Sequence, residues 1–432
     1  MSRIESVDAW EVLDSRGSPT VRVRVATPDG SGTFTVPSGA STGAHEAIER
    51  RDGGDRYGGG GVRMAVAAVR DELADVVTGR DATAQQEVDA ALVERDGTAD
   101  LSRCGANAVL GVSGAVAHAA SAARDVPLYE HVAGLAAGET RSTDPGALPL
   151  PMINVLSGGL HAEGGIEIQD FLVIPAGADS YGDALETVWE VREAVRQRIV
   201  DAGHRPLVAD EGGFAPPLAA IENAFDVLAA GVHDAGHEPA REDVAFAVDV
   251  AATHFYDEES ETYVLDSVDR RFDAEGMADL VAGWVDEWPL VSIEDPLAED
   301  DWDAWERLHD RIGADVQLLG DDLIVTDGDR LGRAIERGVA NAVLVKPNQA
   351  GTLTHTIEVT RDARAEGFAP VVSARSGETC DSTIADLAVG LDAGQIKIGS
   401  FARSERLAKY NRLLAIERDI EGFARPTFGG GR

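Results

Sequence analysis

The stretch "PLVSIEDPLAEDDWDAW" (residues 289–305) decides how the chain is read. Residues 289–293 are apolar or small, as in a buried strand. The run then ends in two adjacent carboxylates, Glu294 and Asp295, before turning at Pro296. One strand that ends in acids means little, but the pattern recurs. Short apolar runs appear at "FLVIP" (171–175), "RPLVADEGG" (205–213), "VAFAVDVA" (244–251), "VQLLGDD" (316–322), "NAVLVKPNQ" (341–349), "APVVSARSGE" (369–378) and "QIKIGS" (395–400). From Asp249 the successive intervals to Glu294, Asp321, Lys346, Arg375 and Lys397 are 45, 27, 25, 29 and 22 residues. A strand, a loop, a helix and a return loop consume about that much chain. Continuous apolar strands alternating with helices imply a parallel sheet covered on both faces. So many in succession favour a closed (β/α) barrel over a doubly wound open sheet. In a barrel the strand ends share one face, where catalytic groups gather. Glu211, Asp249, Glu294, Asp321, Lys346, Arg375 and Lys397 are then expected to converge there.

Ahead of this region the rhythm differs. Residues 3–36 alternate like strands, and "VRMAVAAVRDELADVV" (62–77) and "ANAVLGVSGAVAHAASAAR" (106–124) repeat near 3.6 residues, as amphipathic helices do. Three strands followed by helices predict an α+β domain. The polar segment "AAGETRSTDPGALPLP" (136–151) reads as a linker. The expected organisation is an α/β protein with an N-terminal α+β domain over 1–138 and a barrel over 139–432.

Charge and composition exclude several classes. Lys and Arg number 38 against 76 Asp and Glu, a formal net charge of −38 that would repel nucleic acid. The acids are spread along the chain, which predicts a surface suited to a very salty cytoplasm, as in a halophile. No apolar run is expected to span a bilayer, and the N-terminus lacks a basic-then-apolar leader. Two cysteines make no disulfide framework, so a reducing cytoplasm is expected. Of the 38 basic residues only Lys346, Lys397 and Lys409 are lysine. Unlike arginine, lysine can be tuned to a neutral amine and act as a base.

Asp249, Glu294 and Asp321 are three carboxylates that repel one another without a cation. An oxygen-only set selects a hard metal, Mg²⁺ first, with Mn²⁺ and Ca²⁺ as rivals. Asp295 and Asp322 are expected to point away and serve structure. Lys346 and Lys397 face the acids, and a desolvated ammonium near a dication has a lowered pKa. Metal plus lysine base fits proton abstraction beside a carboxylate. Arg375 with Ser376 fits a phosphate or carboxylate. "GGDRYGGGG" (53–61) lacks the G-K-[ST] of a phosphate-binding loop and reads as a flexible loop. "VPSGASTGAHEA" (36–47) pairs glycine hinges with Ser38, Ser41 and Thr42 and reads as a mobile lid.

Ordered motifs over nearly the whole chain resemble the enolases. They are "DSRGSPTV" (14–21), the lid, "PMINVLSGGLHAEGG" (151–165), "DEGGFAP" (210–216), "SIEDPLAEDDW" (292–302), "GDDLIVT" (320–326), "KPNQAGTLT" (346–354), "RSGETCDSTIADLAVG" (375–390) and "IKIGSFARSERLAKYNRLL" (396–414). The resemblance implies a carbon–oxygen lyase of glycolysis that dehydrates 2-phospho-D-glycerate reversibly to phosphoenolpyruvate. It implies a (β/α)8-type barrel with a ββαα start, which would account for the uneven early spacing. It also implies two Mg²⁺ per site, the first on Asp249, Glu294 and Asp321, the second arriving with substrate and bound in part by Ser41. By the same resemblance Lys346 takes the C2 proton, Glu211 helps hydroxide leave C3, and Lys397 meets the substrate carboxylate. Glu294 and Asp321 border that substrate, Arg375 and Ser376 bind its phosphate, and His161 closes over it. A homodimer or octamer in the cytoplasm is implied, and family analogy extends to a surface or secreted fraction.

Two departures from the family pattern stand out. Ala374 in "SARSGET" replaces a histidine, and Asp170 in "IQDF" replaces a glutamate one methylene longer. Two alternatives follow: another proton-abstracting enzyme of the wider superfamily, and a non-catalytic relative. The "SGASTG" lid and Glu211 oppose the first, and the intact acids and lysines oppose the second.

Overall fold

The computed structural model describes residues 2–40, 43–138, 145–162 and 165–429. The N-terminal alternation becomes an antiparallel meander of β1 (Ser6–Leu13), β2 (Pro19–Thr27) and β3 (Gly30–Thr35). Val21, Val23 and Val25, every second residue of β2, are fully buried beneath the helix Ala106–Arg124. Small residues bring helix and sheet together: a Cβ on Gly32 would lie 2.3 Å from the Ala115 carbonyl oxygen. This 19-residue helix is long and apolar enough to cross a membrane, which corrects the expectation that no run reaches that length. It is a core helix here, with 83% of its most apolar window buried in the protein.

The barrel strands are β4 (Leu150–Ser157), β5 (Asp170–Pro175) and β6 (Val244–Asp249), then β10 (Leu290–Glu294), β11 (Gln317–Gly320), β12 (Ala342–Val345), β13 (Ala369–Ser373) and β14 (Gln395–Ser400). Between β6 and β10 lies a separate meander, β7 (Tyr256–Asp257), β8 (Thr262–Leu265) and β9 (Arg270–Phe272). The sheet closes in the order β10-β11-β12-β13-β14-β4-β5-β6. Ala245, Ala247, Val291, Ala342, Leu344 and Val371 fill its interior. Alternate residues such as Phe246, Val248, Val343 and Val345 pack outward against the helices. Below the site, Ser292, Gln317 and Gln395 close the interior with mutual hydrogen bonds of 2.7 to 2.9 Å.

The period of two places the chemistry. The inward row that holds Ala247 and Leu344 continues one step to Asp249 and Lys346, and Gln395 is followed inward by Lys397. Three expectations need correction. First, β5 runs antiparallel to both neighbours, and the described residues joining it to β4 contain no crossover helix. Its polar residue on the catalytic face is therefore Asp170 at its first position. Second, "RPLVADEGG" forms no barrel strand, and Glu211 sits in a loop between the helices Tyr181–Asp201 and Glu222–Asp234. Third, the ββαα start is present, with β4 and β5 followed by those two helices before β6, but the 45-residue interval from Asp249 to Glu294 is long because it contains β7–β9.

Candidate active site

Nearly all the anticipated residues meet on the face where β6, β10, β12 and β14 end. Asp249 and Glu294 are paired by register across β6 and β10. Lys397 joins them, its Nζ donating to Asp249 Oδ2 and Glu294 Oε2 at 2.7 Å each. Lys346 donates to Asp321 Oδ2, and Gln349 donates to the other oxygen of that carboxylate at 2.9 Å. Gln169 adds a bond to Asp249 at 3.1 Å. All these charged groups are buried.

The acids do not close on one point. Among the described residues, the ligating atoms that lie within 4.8 Å of one another belong to His161, Asp170 and Glu211, and to Asp295, Asp321 and Asp322. The ammonium of Lys397 stands between Asp249 and Glu294. Asp295 and Asp322 thus do not both turn away as expected. Asp295 does serve structure: it accepts the Asp321 amide at 3.0 Å and the Asp322 amide at 2.7 Å, which fixes the turn that aims Asp321. Burial and Asp321 push the Asp322 carboxyl up to about 8.

Crowding shapes every titration here. Burial pulls the Lys346 ammonium down, as expected, but Asp321 and then Glu294 outweigh it, so the pKa lies above the ordinary lysine value rather than below. Lys397 is raised well above its ordinary value: Asp249 and Glu294 overcome burial. Burial and Asp249 push Glu294 well up despite Lys397, whereas Lys397 holds Asp249 low against burial. The donors are all oxygen, and the carboxylates gathered here outnumber the two lysines. That set fits a hard divalent cation.

Around Glu211 a second network forms. Asp170 takes hydrogen bonds from Asn154 and from Ser157 Oγ, the latter at 2.9 Å. Its other oxygen is 3.0 Å from His161 Nδ1, and His161 Nε2 is 3.9 Å from Glu211 Oε1. Burial alone would depress the imidazole, but Asp170 and Glu211 lift it to about 9. Burial opposes ionisation of Glu211, yet Arg406 and His161 hold its pKa below the usual glutamate value.

Arg375 donates to Glu46 of the lid at 3.0 and 3.2 Å, and Ser376 Oγ accepts the Ala40 amide at 2.5 Å. The lid's Ser41 lies outside the described residues. Ala374, beside Arg375, lines the cavity with His161, Glu211, Lys346 and Lys397.

Residues 4–132 match the N-terminal domain of the enolases, and residues 145–429 their C-terminal TIM barrel domain. The chain is 48% identical to an enolase of Acidothermus cellulolyticus over 100% of its own length and 99% of the relative's. The chain belongs to the enolase family. Its activity is that of a glycolytic enolase, a lyase that dehydrates 2-phospho-D-glycerate reversibly to phosphoenolpyruvate. Neither alternative reading is favoured. The enolase site also contains groups that the sequence patterns did not single out. Gln349 and Glu46 lie inside quoted motifs, but no spacing rule separates them from their neighbours. Gln169, Asn154 and Ser157 become visible only once β4 and β5 are paired.

Proposed function

We propose that Asp249, Glu294 and Asp321 hold a first Mg²⁺, and that a second arrives with 2-phosphoglycerate and takes Ser41. Bound there, Mg²⁺ supplies positive charge that stabilises the charge growing on the substrate carboxylate as C2 loses its proton. Positive charge on those carboxylates also weakens their hold on the Lys346 proton. Lys346 in its neutral form takes the C2 proton. Lys397, kept charged, meets the substrate carboxylate, which Glu294 and Asp321 border. Arg375 and Ser376 receive the phosphate.

Glu211 delivers a proton to the hydroxide leaving C3. His161, 3.9 Å from Glu211, closes over the substrate. Asp170 holds that imidazole in place. The shorter Asp170 side chain is compensated by Asn154 and Ser157, which fix its first oxygen while the second faces His161. A cytoplasmic homodimer or octamer in concentrated salt, with domains dividing near residue 138, completes the reading.

The observation that carries this proposal is the burial of Lys346 and Lys397 against the three carboxylates at the barrel mouth. The test is a steady-state assay of enol absorbance from 2-phosphoglycerate with Mg²⁺ and molar KCl. Product formation that stops on chelation is expected. No product under those conditions overturns the reading.

A further inference from the structure

The helix Ser404–Ile416 follows β14, and none of its groups has a place in the function proposed above. It nevertheless carries Arg406, one of the largest fully buried side chains in the protein. Burying a guanidinium is costly unless its donors are used. Among the described residues Arg406 Nε has no hydrogen-bond partner, but both terminal nitrogens are used, and on the site alone. Nη1 donates to the carbonyl oxygens of Arg375 at 2.7 Å and Ile398 at 2.9 Å, and Nη2 donates to that of Ser376 at 2.7 Å. Nη2 also stands 3.7 Å from Glu211 Oε1. One planar cation thus touches the backbone of the anion-binding turn, the backbone next to Lys397 and the carboxylate expected to act at C3.

Two features around Arg406 fit this arrangement. Gly399, at φ +107°, lets the chain pass between the partners: a Cβ there would lie 3.1 Å from Arg406 Cδ and 3.1 Å from Glu211 Oε2. A Cβ at that position would crowd both groups, at a backbone φ that favours glycine. Three residues further along the helix, Lys409 grips the same turn from its other side. Its Nζ donates to Glu378 Oε2 at 2.7 Å, and Glu378 Oε1 accepts the Arg375 amide at 3.1 Å. The third lysine of the chain is thereby accounted for: like the other two it is buried, and it holds Arg375 at one remove.

We infer that Arg406 is a positioning residue of the dehydration site: it sets the Arg375–Ser376 turn for the substrate phosphate and holds the Glu211 carboxylate in place beside it. The inference rests on the roles proposed above for Arg375, Ser376 and Glu211. A lysine cannot replace it, because a point-charge ammonium does not span three carbonyls and a carboxylate as a planar fork does.

The test compares wild type with Arg406→Lys, Arg406→Met and the control Tyr410→Phe. The control removes a 2.9 Å hydrogen bond from the same helix to the Gly399 carbonyl and leaves the anion-binding turn alone. Thermal unfolding and circular dichroism set the folded fraction of each. Arg406→Lys is expected to raise KM at least tenfold and weaken inorganic phosphate binding, read by calorimetry. Arg406→Met is expected to lose over a hundredfold in dehydration while C2-hydrogen exchange, which depends on Lys346, falls much less. Losses no larger than those of Tyr410→Phe at equal folded fraction would overturn the role, as would equal loss of exchange and dehydration. Unfolding of both Arg406 variants would also overturn it, making Arg406 a residue of the fold alone. A wild-type chain inactive on 2-phosphoglycerate would instead overturn the functional reading. The phosphate comparison would still decide Arg406: unchanged affinity, or no phosphate binding by wild type, counts against it.

Discussion

Glu46 and Arg375, 329 residues apart in the chain, form a buried two-bond ion pair between the lid segment and the anion-binding turn. The carboxylate occupies the guanidinium much as a bound anion would. Glu46→Ala removes the carboxylate bonded to a buried guanidinium, so the folded state is expected to lose about 3 kcal/mol. Inorganic phosphate should restore part of the loss by binding Arg375. Thermal unfolding with and without phosphate checks this. A deficit in Glu46→Ala that phosphate does not reduce would show that the pair has no bearing on anion binding.

A divalent cation should stabilise the fold as well as support turnover, because it binds the folded carboxylates and not the unfolded chain. At about 100 times its dissociation constant Mg²⁺ contributes about 2.7 kcal/mol. Glu294→Gln removes one oxygen ligand and its charge, and is expected to abolish both the rise in Tm and the activity. An equal rise in Tm in wild type and variant would place the stabilising cation elsewhere.

Lys346→Ala is expected to abolish exchange of the C2 hydrogen with solvent, and Glu211→Gln to block dehydration more than exchange. The two side chains address different atoms of the substrate, so their losses should separate. Exchange that persists without Lys346 would assign the base to another group. Equal loss of both steps in Glu211→Gln would remove its separate role at C3.

Much of this was legible in the sequence because inward-facing barrel positions follow a period of two. Asp249, Glu294 and Lys346 each follow an apolar run and Lys397 lies within a strand, on its inward row, so strand geometry predicted their convergence. Asp321 came from the same pattern. Glu211 was anticipated for the wrong reason: its loop reaches the site from between two helices, and "RPLVAD" only resembles a strand. The lowered pKa expected for Lys346 belongs to a site that holds a dication; the protein groups alone raise it, because the same fold that buries Lys346 also delivers Asp321. Arg406 stayed hidden because a helical arginine ordinarily faces solvent, and nothing in "RSERLAKY" records that three carbonyls await it.

His131 predicts an acid sensitivity unrelated to catalysis. It is buried on the helix Leu128–Ala136, where Arg124 Nη1 donates to its Nδ1 at 3.2 Å. Burial, then Arg124 and His118, press its pKa from 6.5 down to about 4. A proton therefore favours the unfolded chain, and the stabilisation is whole above about pH 6.5. It is lost progressively as pH falls towards 4, by about 3 kcal/mol in all. His131→Gln should flatten the fall in Tm between pH 7 and 4.5 relative to wild type. Parallel curves for the two proteins would show that His131 is not the group that titrates.

The surface makes the last prediction. All three lysines are buried, so exposed positive charge is arginine alone, set among acids as in Arg337 with Asp303 at 2.6 Å and Glu306 at 2.7 Å. Such exposed pairs each contribute little, and they cannot offset a net charge of −38. Self-repulsion of that size opposes the compact state, and its range shrinks from about 10 Å at 0.1 M salt to about 3 Å at 1 M. Tm is therefore expected to climb steeply between 0.1 and 2 M KCl. Sodium chloride should act similarly if screening is the cause. The Mg²⁺ contribution, which comes from a buried site, should persist across the whole range. A Tm that does not change with KCl would mean that the acidic surface does not limit folding and would remove the basis for a salt-adapted protein.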